Sequence, residues 1–308
     1  MQLRKFPSAA LALAFAAAIL TPGDARACSI CRCGDPTFNA LGSNVYADGA
    51  FHLALDWDRF DKEQGVFAQR GETETLLENR VTATLSYAFA QRFNVVARIP
   101  YSVKSLTEGE TVTDTHGFAD PEIYALVRLW SSSFGPGLGR RTWLSALFGV
   151  KTPWGQNDVQ HDGVRVDEHS QPGTGSTDLF GGLSFLHLFD EKSALFASVQ
   201  YRGTGRNDFG YKYGNITLAN VAYERKIFEP LDAVVELNYR YAGKDQVDVE
   251  GVQDLNTGGS ILYITPRLLF SITERLVARV SVLIPTWKAL NGQQTEKAVY
   301  NAGLTYVF

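Results

Sequence analysis

Beyond residue 27 the chain has no apolar run approaching the roughly 20 residues that a membrane helix needs. A helical crossing of a bilayer by that part of the chain is therefore excluded. Cysteine occurs 3 times in 308 residues, at Cys28, Cys31 and Cys33, so any thiol chemistry is confined to one short segment. No histidine follows in a CxxCH arrangement, which leaves covalent c-type haem without support. Charge of either sign is not in excess: 29 Lys and Arg stand against 33 Asp and Glu, for a net −4. That mild acidity gives no reason to expect a nucleic-acid partner. There is one methionine, no long low-complexity tract and no internal composition break that would mark a domain boundary.

What is present is alternation. At 20% charged residues the composition looks like that of a soluble protein. A transmembrane β-barrel has such figures too, because only every second residue faces lipid. The 28 Gly, 13 Tyr and 19 Phe suit a barrel with aromatic girdles. Period-two segments recur near 49–60, 74–89, 93–104, 120–130, 142–152, 177–188, 193–202, 215–226, 232–242, 260–271, 275–285 and 297–308. In the first, Phe51, Leu53, Leu55 and Trp57 oppose His52, Asp56 and Asp58. The last alternates through Tyr300, Ala302, Leu304 and Tyr306 to Phe308, and so resembles the final strand of bacterial outer-membrane barrels. The reading is an all-β fold: a transmembrane antiparallel barrel of about 12 strands, an even count that brings both ends to one side.

The segments are joined by long polar connections near 61–73, 105–119, 153–176, 203–214, 243–259 and 286–296. These alternate with shorter ones near 90–92, 131–141, 189–192, 227–231 and 272–274. Long loops on one rim and short turns on the other are the asymmetry of an outer-membrane barrel. The long loops are expected outside the cell and both termini in the periplasm. A soluble β-sandwich would show the alternation without this regular difference in loop length.

The two ends of the barrel region divide the chain. Residues 1–27 have the layout of a secretory signal: Arg4 and Lys5, an apolar run from Ala9 to Leu20, a break at Pro22-Gly23, and the small-x-small pattern Ala25-Arg26-Ala27. Residues 28–48 form a short cysteine-containing extension, and 49–308 the outer-membrane barrel. Gly34, Pro36, Gly42 and Gly49 supply turns by which residues 28–48 could fold into the lumen as a hatch.

Placing the polar alternates inward puts Asp56, Asp58, Glu78, Arg80, Arg98, Glu122, Arg128, Lys151, Asp178, Glu224, Glu236, Arg240, Arg267 and Arg279 in the lumen. An Arg or Lys on the lipid face near the midplane would cost on the order of 2–4 kcal/mol, so inward is the cheaper direction. Two readings of these charges stay open. They are a conduit wall that filters solutes, or ion pairs that close a narrow barrel. The cysteines also leave alternatives open. Cys28, Cys31 and Cys33 suit a soft ion such as copper, or zinc with a fourth ligand from elsewhere. They equally suit a disulfide or redox pair in an oxidising periplasm, or a contact with a periplasmic partner protein. A lipidated Cys28 is disfavoured by Arg26 and by the lack of a Leu three residues before it. His161 and His169 share a loop with Asp162, Asp167 and Glu168, a candidate weak divalent-ion site set against a plain solvated loop. His187, within Phe185-Leu186-His187-Leu188-Phe189, fits an interfacial aromatic belt. No strand-placed Ser, His and Asn come together for a lipase-like barrel enzyme, and a non-enzyme is expected.

Three motifs lie in the middle of the chain. They are Gly117-Phe118-Ala119-Asp120-Pro121-Glu122, then Gly149-Val150-Lys151-Thr152-Pro153-Trp154-Gly155, then Gly173-Thr174-Gly175-Ser176-Thr177-Asp178. In this order they resemble the transporter-like family named for the meta-pathway of phenol degradation, over roughly residues 50–308. The resemblance implies an outer-membrane channel embedded in lipid that takes up a small solute, with aromatic and apolar compounds as the candidates. The alternative is a metal- or redox-linked barrel built around the CxxCxC segment. The two differ in what cysteine replacement does: altered gating at most in the first, loss of bound ion in the second.

Overall fold

The computed structural model describes residues 51–67, 72–89, 92–134, 140–190, 192–292 and 294–308. The signal-like residues 1–27 and the cysteine segment 28–48 lie outside them.

In chain order the strands are β1 (Phe51–Phe67), β2 (Glu72–Phe89), β3 (Phe93–Glu108), β4 (Thr111–Phe118), β5 (Glu122–Phe134), β6 (Arg140–Lys151), β7 (Gln160–His161), β8 (Val164–Arg165), β9 (Asp178–Leu188), β10 (Ser193–Gly203), β11 (Ile216–Phe228), β12 (Leu231–Ala242), β13 (Gly259–Ser271), β14 (Leu276–Leu290), β15 (Gln294–Glu296) and β16 (Val299–Val307). Twelve of these form one antiparallel circuit: β1-β2-β3-β5-β6-β9-β10-β11-β12-β13-β14-β16, with β16 paired back to β1. Closure leaves no sheet edge, which is what allows strands to cross lipid. No helix among the described residues is long and apolar enough to cross a membrane.

The alternation sorts as the sequence suggests. Leu55, Val81, Val95, Ile99, Val199 and Leu304 point outward and are exposed on the lipid-facing surface, whereas Asp58, Thr82, Asn94, Ser102 and Glu236 face inward and are buried. At the rim of short turns the outer surface is aromatic. Phe89 stacks on Phe93 at 5.4 Å, Tyr306 meets Phe308 at 4.8 Å, and Phe308 packs against Phe51 at 5.3 Å. His187 joins this girdle, 4.7 Å from Phe189 and hydrogen-bonded to Thr142 Oγ1 at 2.7 Å.

Two features differ from the sequence reading. The supposed loops at 61–73 and 105–119 are largely strand. β1 runs to Phe67, β2 starts at Glu72, and β3 continues to Glu108 before returning as β4. In these extensions Asp61, Glu63, Ser105 and Thr107 stand on the outer face, so the ladder persists while the apolar outer face that reveals it disappears. The inner wall is also not uniformly polar. Leu186, Ala194, Phe196, Ala222 and Val234 form a buried apolar cluster inside the barrel, and Phe60, Ile261, Tyr263, Leu283 and Val299 form another. A narrow barrel fills part of its interior with its own side chains.

Candidate functional site

The connection from β6 to β9, residues 152–177, does not stay on the surface. Its ends are drawn together by the Gly173 N–H donating to the Gln156 carbonyl at 2.7 Å. Between them the β7–β8 hairpin and a 3₁₀ turn at Glu168–Ser170 fold into a compact unit. Gln171 ties it internally, accepting from the Val159 N–H at 2.9 Å and donating to the carbonyls of Val159 and Val166. Arg165 grips Glu168 through both carboxylate oxygens and also donates to the Asn157 carbonyl.

This unit lies across the barrel mouth. Lys104, on the inner face of β3 and 1% exposed, donates to the carbonyls of His169 at 2.5 Å and Gln171 at 2.6 Å. Thr115 of β4 donates to the Ser170 carbonyl at 2.5 Å. On the other side Tyr213 donates to the Glu168 carbonyl at 2.9 Å, and Tyr211 meets His169 Nε2 at 3.2 Å while donating to Asp245 at 2.6 Å. Tyr211 and Tyr213 complete an apolar bridge with Leu76, Leu106, Ile216 and Leu218. Leu76 is on β2, second in the circuit, and Leu218 on β11, eighth. In a circuit of twelve these walls face each other, so the bridge spans the lumen. His169 is thus part of a packed plug rather than a solvated loop. His161 is exposed beside Asp162 at 3.7 Å, and no group of His, Cys, Asp or Glu able to hold a metal occurs among the described residues. Cys28, Cys31 and Cys33, the expected copper or zinc ligands, lie outside them.

Below the plug is a cavity of about 90 Å³. One side of it is a row of charges set by strand register: Arg98 on β3 faces Glu122 on β5, Glu122 faces Lys151 on β6, and Lys151 faces Asp178 on β9. The sign alternates from strand to strand, so each ion is flanked by its opposite, which is the favourable cross-strand arrangement. Glu122 accepts from Arg98 at 3.2 Å and from Arg202 of β10 at 2.6 Å. Lys151 sits between Asp120 at 3.0 Å and Asp178 at 3.2 Å, and donates to the Ser176 carbonyl at 2.9 Å. Arg80 pairs with Glu78 at 3.2 Å and lies over Phe60. The other side is Tyr213, Ile216 and Leu218.

Asp120 is where the plug is fastened. One carboxylate oxygen accepts from the Gly155 N–H at 2.9 Å, and the other from the Thr174 N–H at 2.7 Å and hydroxyl at 2.6 Å. Both ends of the inward segment are therefore clamped by a single side chain. Glycine is required at 155, because a Cβ there would stand 2.5 Å from the Asp120 backbone nitrogen. The three sequence motifs, far apart in the chain, meet at this point.

The remaining expected lumen residues also sit inside. Asp56 pairs with Arg279, whose Nε is 2.8 Å from the carboxylate. Asp58 accepts from Asn301 at 2.8 Å, Glu236 pairs with Arg267 at 3.1 Å, and Arg240 with Glu296 at 2.5 Å. Arg128 lies over Trp143 and Glu224 is half-buried. None of these borders the cavity, whereas Arg80, Arg98, Glu122, Lys151 and Asp178 do. Sequence reasoning did not single out Lys104, Asp120, Arg202 or Glu296. Asp120 was visible inside its motif, and Arg202 and Lys104 only as further polar alternates.

No family model matches the chain, and no curated protein does. Among solved structures, an outer membrane channel from Pseudomonas putida F1 is similar in fold: TM-score 0.67 at 11% identity, covering 87% of this chain and 98% of that one. The CymD monoaromatic hydrocarbon channel aligns at TM-score 0.46 and 9% identity, covering 85% and 89% of the two chains. The translocator domain of the autotransporter NalP from Neisseria meningitidis aligns at 0.45 and 10%, covering 86% and 90%. The first of these likenesses, together with the closed strand circuit, establishes the chain as a twelve-stranded barrel of the bacterial outer-membrane type.

Proposed function

We propose that this chain is an outer-membrane channel for a small solute, with residues 152–177 as its constriction. The observation that carries this reading is the inward-folded unit held over a charged cavity inside a closed barrel. A barrel serving only as a platform needs no loop fastened across its mouth by Lys104 and Asp120. In this reading the long connections face outward from the cell and the chain ends face the periplasm. The plug then stands at the external entrance, and the row Arg98–Glu122–Lys151–Asp178 is the first wall a solute meets after passing it. The resemblance of the three central motifs to the phenol meta-pathway transporter-like family supports uptake of an organic molecule.

Purified full-length protein in a planar bilayer is expected to give small, discrete conductance steps. Excising 158–171 with a short linker between 157 and 172 is expected to enlarge them severalfold, since the flanking residues already touch. Steps absent from both proteins would overturn the channel reading. Orientation is tested separately with Val249→Cys, an exposed site on the long-loop rim. A membrane-impermeant maleimide is expected to label it on intact cells, and labelling only after permeabilisation would reverse the assignment.

A further inference from the structure

Two properties of the cavity go beyond a passive conduit, and the inference from them rests on the channel reading above. The first is that its charges are satisfied by one another. Lys151 lies between Asp120 and Asp178, Glu122 holds both Arg98 and Arg202, and Glu78 holds Arg80. Four cations thus meet four carboxylates, and the wall as a whole offers dipoles rather than net charge. An ion entering here would give up water for groups already engaged with their opposites, whereas a neutral solute carries no such cost.

The second property is unmet hydrogen bonding. Among the described residues, Thr82 Oγ1 and Gln200 Oε1 are buried with no hydrogen-bond partner. Thr82 is 1% exposed and Gln200 5%, and both line this same cavity. Strand register explains why their neighbours do not serve them. Gln200 on β10 stands between Gly182 and Leu218, which have no polar side chain. Thr82 on β2 stands between Pro100 and Asp56, and Asp56 is held by Arg279. A buried polar atom normally finds a partner, and an orphan at a cavity wall marks a place where a bound molecule supplies one. An amide oxygen only accepts, so that molecule must give an N–H or O–H to Gln200, while the Thr82 hydroxyl can give or accept. Ile216, Leu218 and Pro100 add carbon surface, which suits a methyl or methylene group and gains nothing from water.

We propose that this cavity is a binding station for a compact neutral solute that both donates and accepts hydrogen bonds, of the carboxamide kind. Its N–H lies on Gln200 Oε1, its carbon end lies against Leu218 beside it, and Thr82 is a second hydrogen-bonding point on the β2 side. Size limits the class further. The cavity is about 90 Å³, below the roughly 150 Å³ at which an apolar protein cavity holds a benzene ring. In proportion it takes about four non-hydrogen atoms, so an aromatic ring passes only by displacing side chains. Neutral hydrogen bonds hold such a solute loosely, as a channel site needs: favourable enough to enter and weak enough to leave.

The test uses the full chain in detergent micelles with acetamide, acetone, acetate and acetamidinium as probes. These share one planar shape and size and differ only in donors and charge. Ligand-detected NMR titration measures each, with protein-free micelles as the blank. Acetamide is expected to bind saturably. Acetone, which lacks the donor, is expected to bind about tenfold more weakly, the fold-change of one unmet buried hydrogen bond. Acetate and acetamidinium are also expected to bind more weakly than acetamide. Gln200→Met keeps the length of the side chain without its amide, and is expected to bring acetamide down to the acetone level while leaving acetone unchanged. The variant is checked for the folded barrel by its heat-dependent migration on gels. Equal binding of acetamide and acetone, preference for either ion, or wild-type acetamide binding by a folded Gln200→Met protein would overturn the proposal. Absence of saturable acetamide binding from wild type that still conducts would show that water alone meets Gln200 and Thr82, sinking the binding station while leaving the channel intact. Loss of conductance with binding retained would do the reverse.

Discussion

The two halves of the inner wall are built from the same residue types and behave differently. On the side of β12, β13, β15 and β1, Glu296 is 2% exposed, pairs with Arg240 at 2.5 Å and Lys62 at 3.7 Å, and accepts from the Tyr263 hydroxyl. Tyr263 is itself 0% exposed. One carboxylate organises two cations and a phenol, and Tyr263, Ile261 and Leu283 pack beside it. On the side of β3, β5, β6 and β10 the ions are also paired, yet they border open space, and the Arg98 side chain keeps 17% of its surface. The choice between filler and conduit, open for all these charges in the sequence, thus takes a different form on each side. One wall is packed with the barrel's own side chains and the other borders a cavity. The difference comes from what stands in front of each wall: Phe60, Ile261 and Leu283 pack before the first, whereas the plug roofs the second and leaves the space beneath it.

The contrast is sharpest in stability. Glu296→Ala would leave Arg240 and Lys62 as buried cations without their shared anion, and the expected cost is about 3–5 kcal/mol. Arg98→Gln leaves Glu122 still held by Arg202, and because Arg98 is partly solvated the expected cost is nearer about 1 kcal/mol. Urea unfolding of the refolded barrel in lipid measures both. Equal losses would erase the distinction between the walls. Conductance should divide the pair the other way, with Arg98→Gln altering ion selectivity and Glu296→Ala, where it folds, leaving it near wild type.

A smaller effect is expected at the roof. Lys104→Met removes the donor to two plug carbonyls, each hydrogen bond to a charged group being worth about 1.5–3 kcal/mol when buried. Against a global fold held by twelve strands this should not unfold the barrel. It should shorten the closed lifetime in single-channel records and expose residues 152–177 to protease. A variant as closed and as protected as wild type would show that Lys104 is incidental and that the Asp120 clamp with the Thr115 and Tyr213 contacts suffices to hold the plug.

Much of the barrel was legible in the sequence, for a simple reason. Where one face meets lipid and the other does not, every second residue is constrained, and the alternation at 81–89 or 93–103 can be read directly. The same rule explains the misses. β4 and the outer ends of β1 to β3 stand clear of lipid, lose the alternation and read as loop. The inward orientation of Arg80, Arg98, Glu122, Lys151 and Asp178 followed from the cost of charge in lipid. Which of the inward charges border a cavity did not, because that depends on residues 152–177 turning into the lumen, and local pattern does not state where a loop goes. Asp120 shows the limit well. It stands in a recognisable motif, but its role as a clamp needs Gly155 and Thr174, which only the folded connection brings to it.

The smallest effect expected concerns pH, and it falls at the edge between the two walls. Glu74 lies beyond the apolar band on the long-loop rim, opposite Glu108 in the β2–β3 register. Burial is the largest reason that its carboxyl is pushed from the ordinary 4.5 up to about 7; the hydrogen bond that the protonated group donates to Glu108 and the negative charges of Glu108 and Asp167 act in the same direction, and His169 opposes them. A raised carboxyl pKa means that the packed rim holds its proton where the released one does not. The packed state is then favoured most below pH 4.5, loses that advantage as pH rises toward about 7, and gains nothing back above it. Because the group is about half exposed, solvent screening keeps the effect modest. Asp167 and His169 belong to the plug, so the plug should open more often at pH 8 than at pH 5 in single-channel records. Glu74→Gln, which keeps the neutral hydrogen-bonding form at every pH, should flatten that dependence. If the variant titrates with the wild-type slope, the pH response comes from elsewhere and Glu74 takes no part in holding the plug.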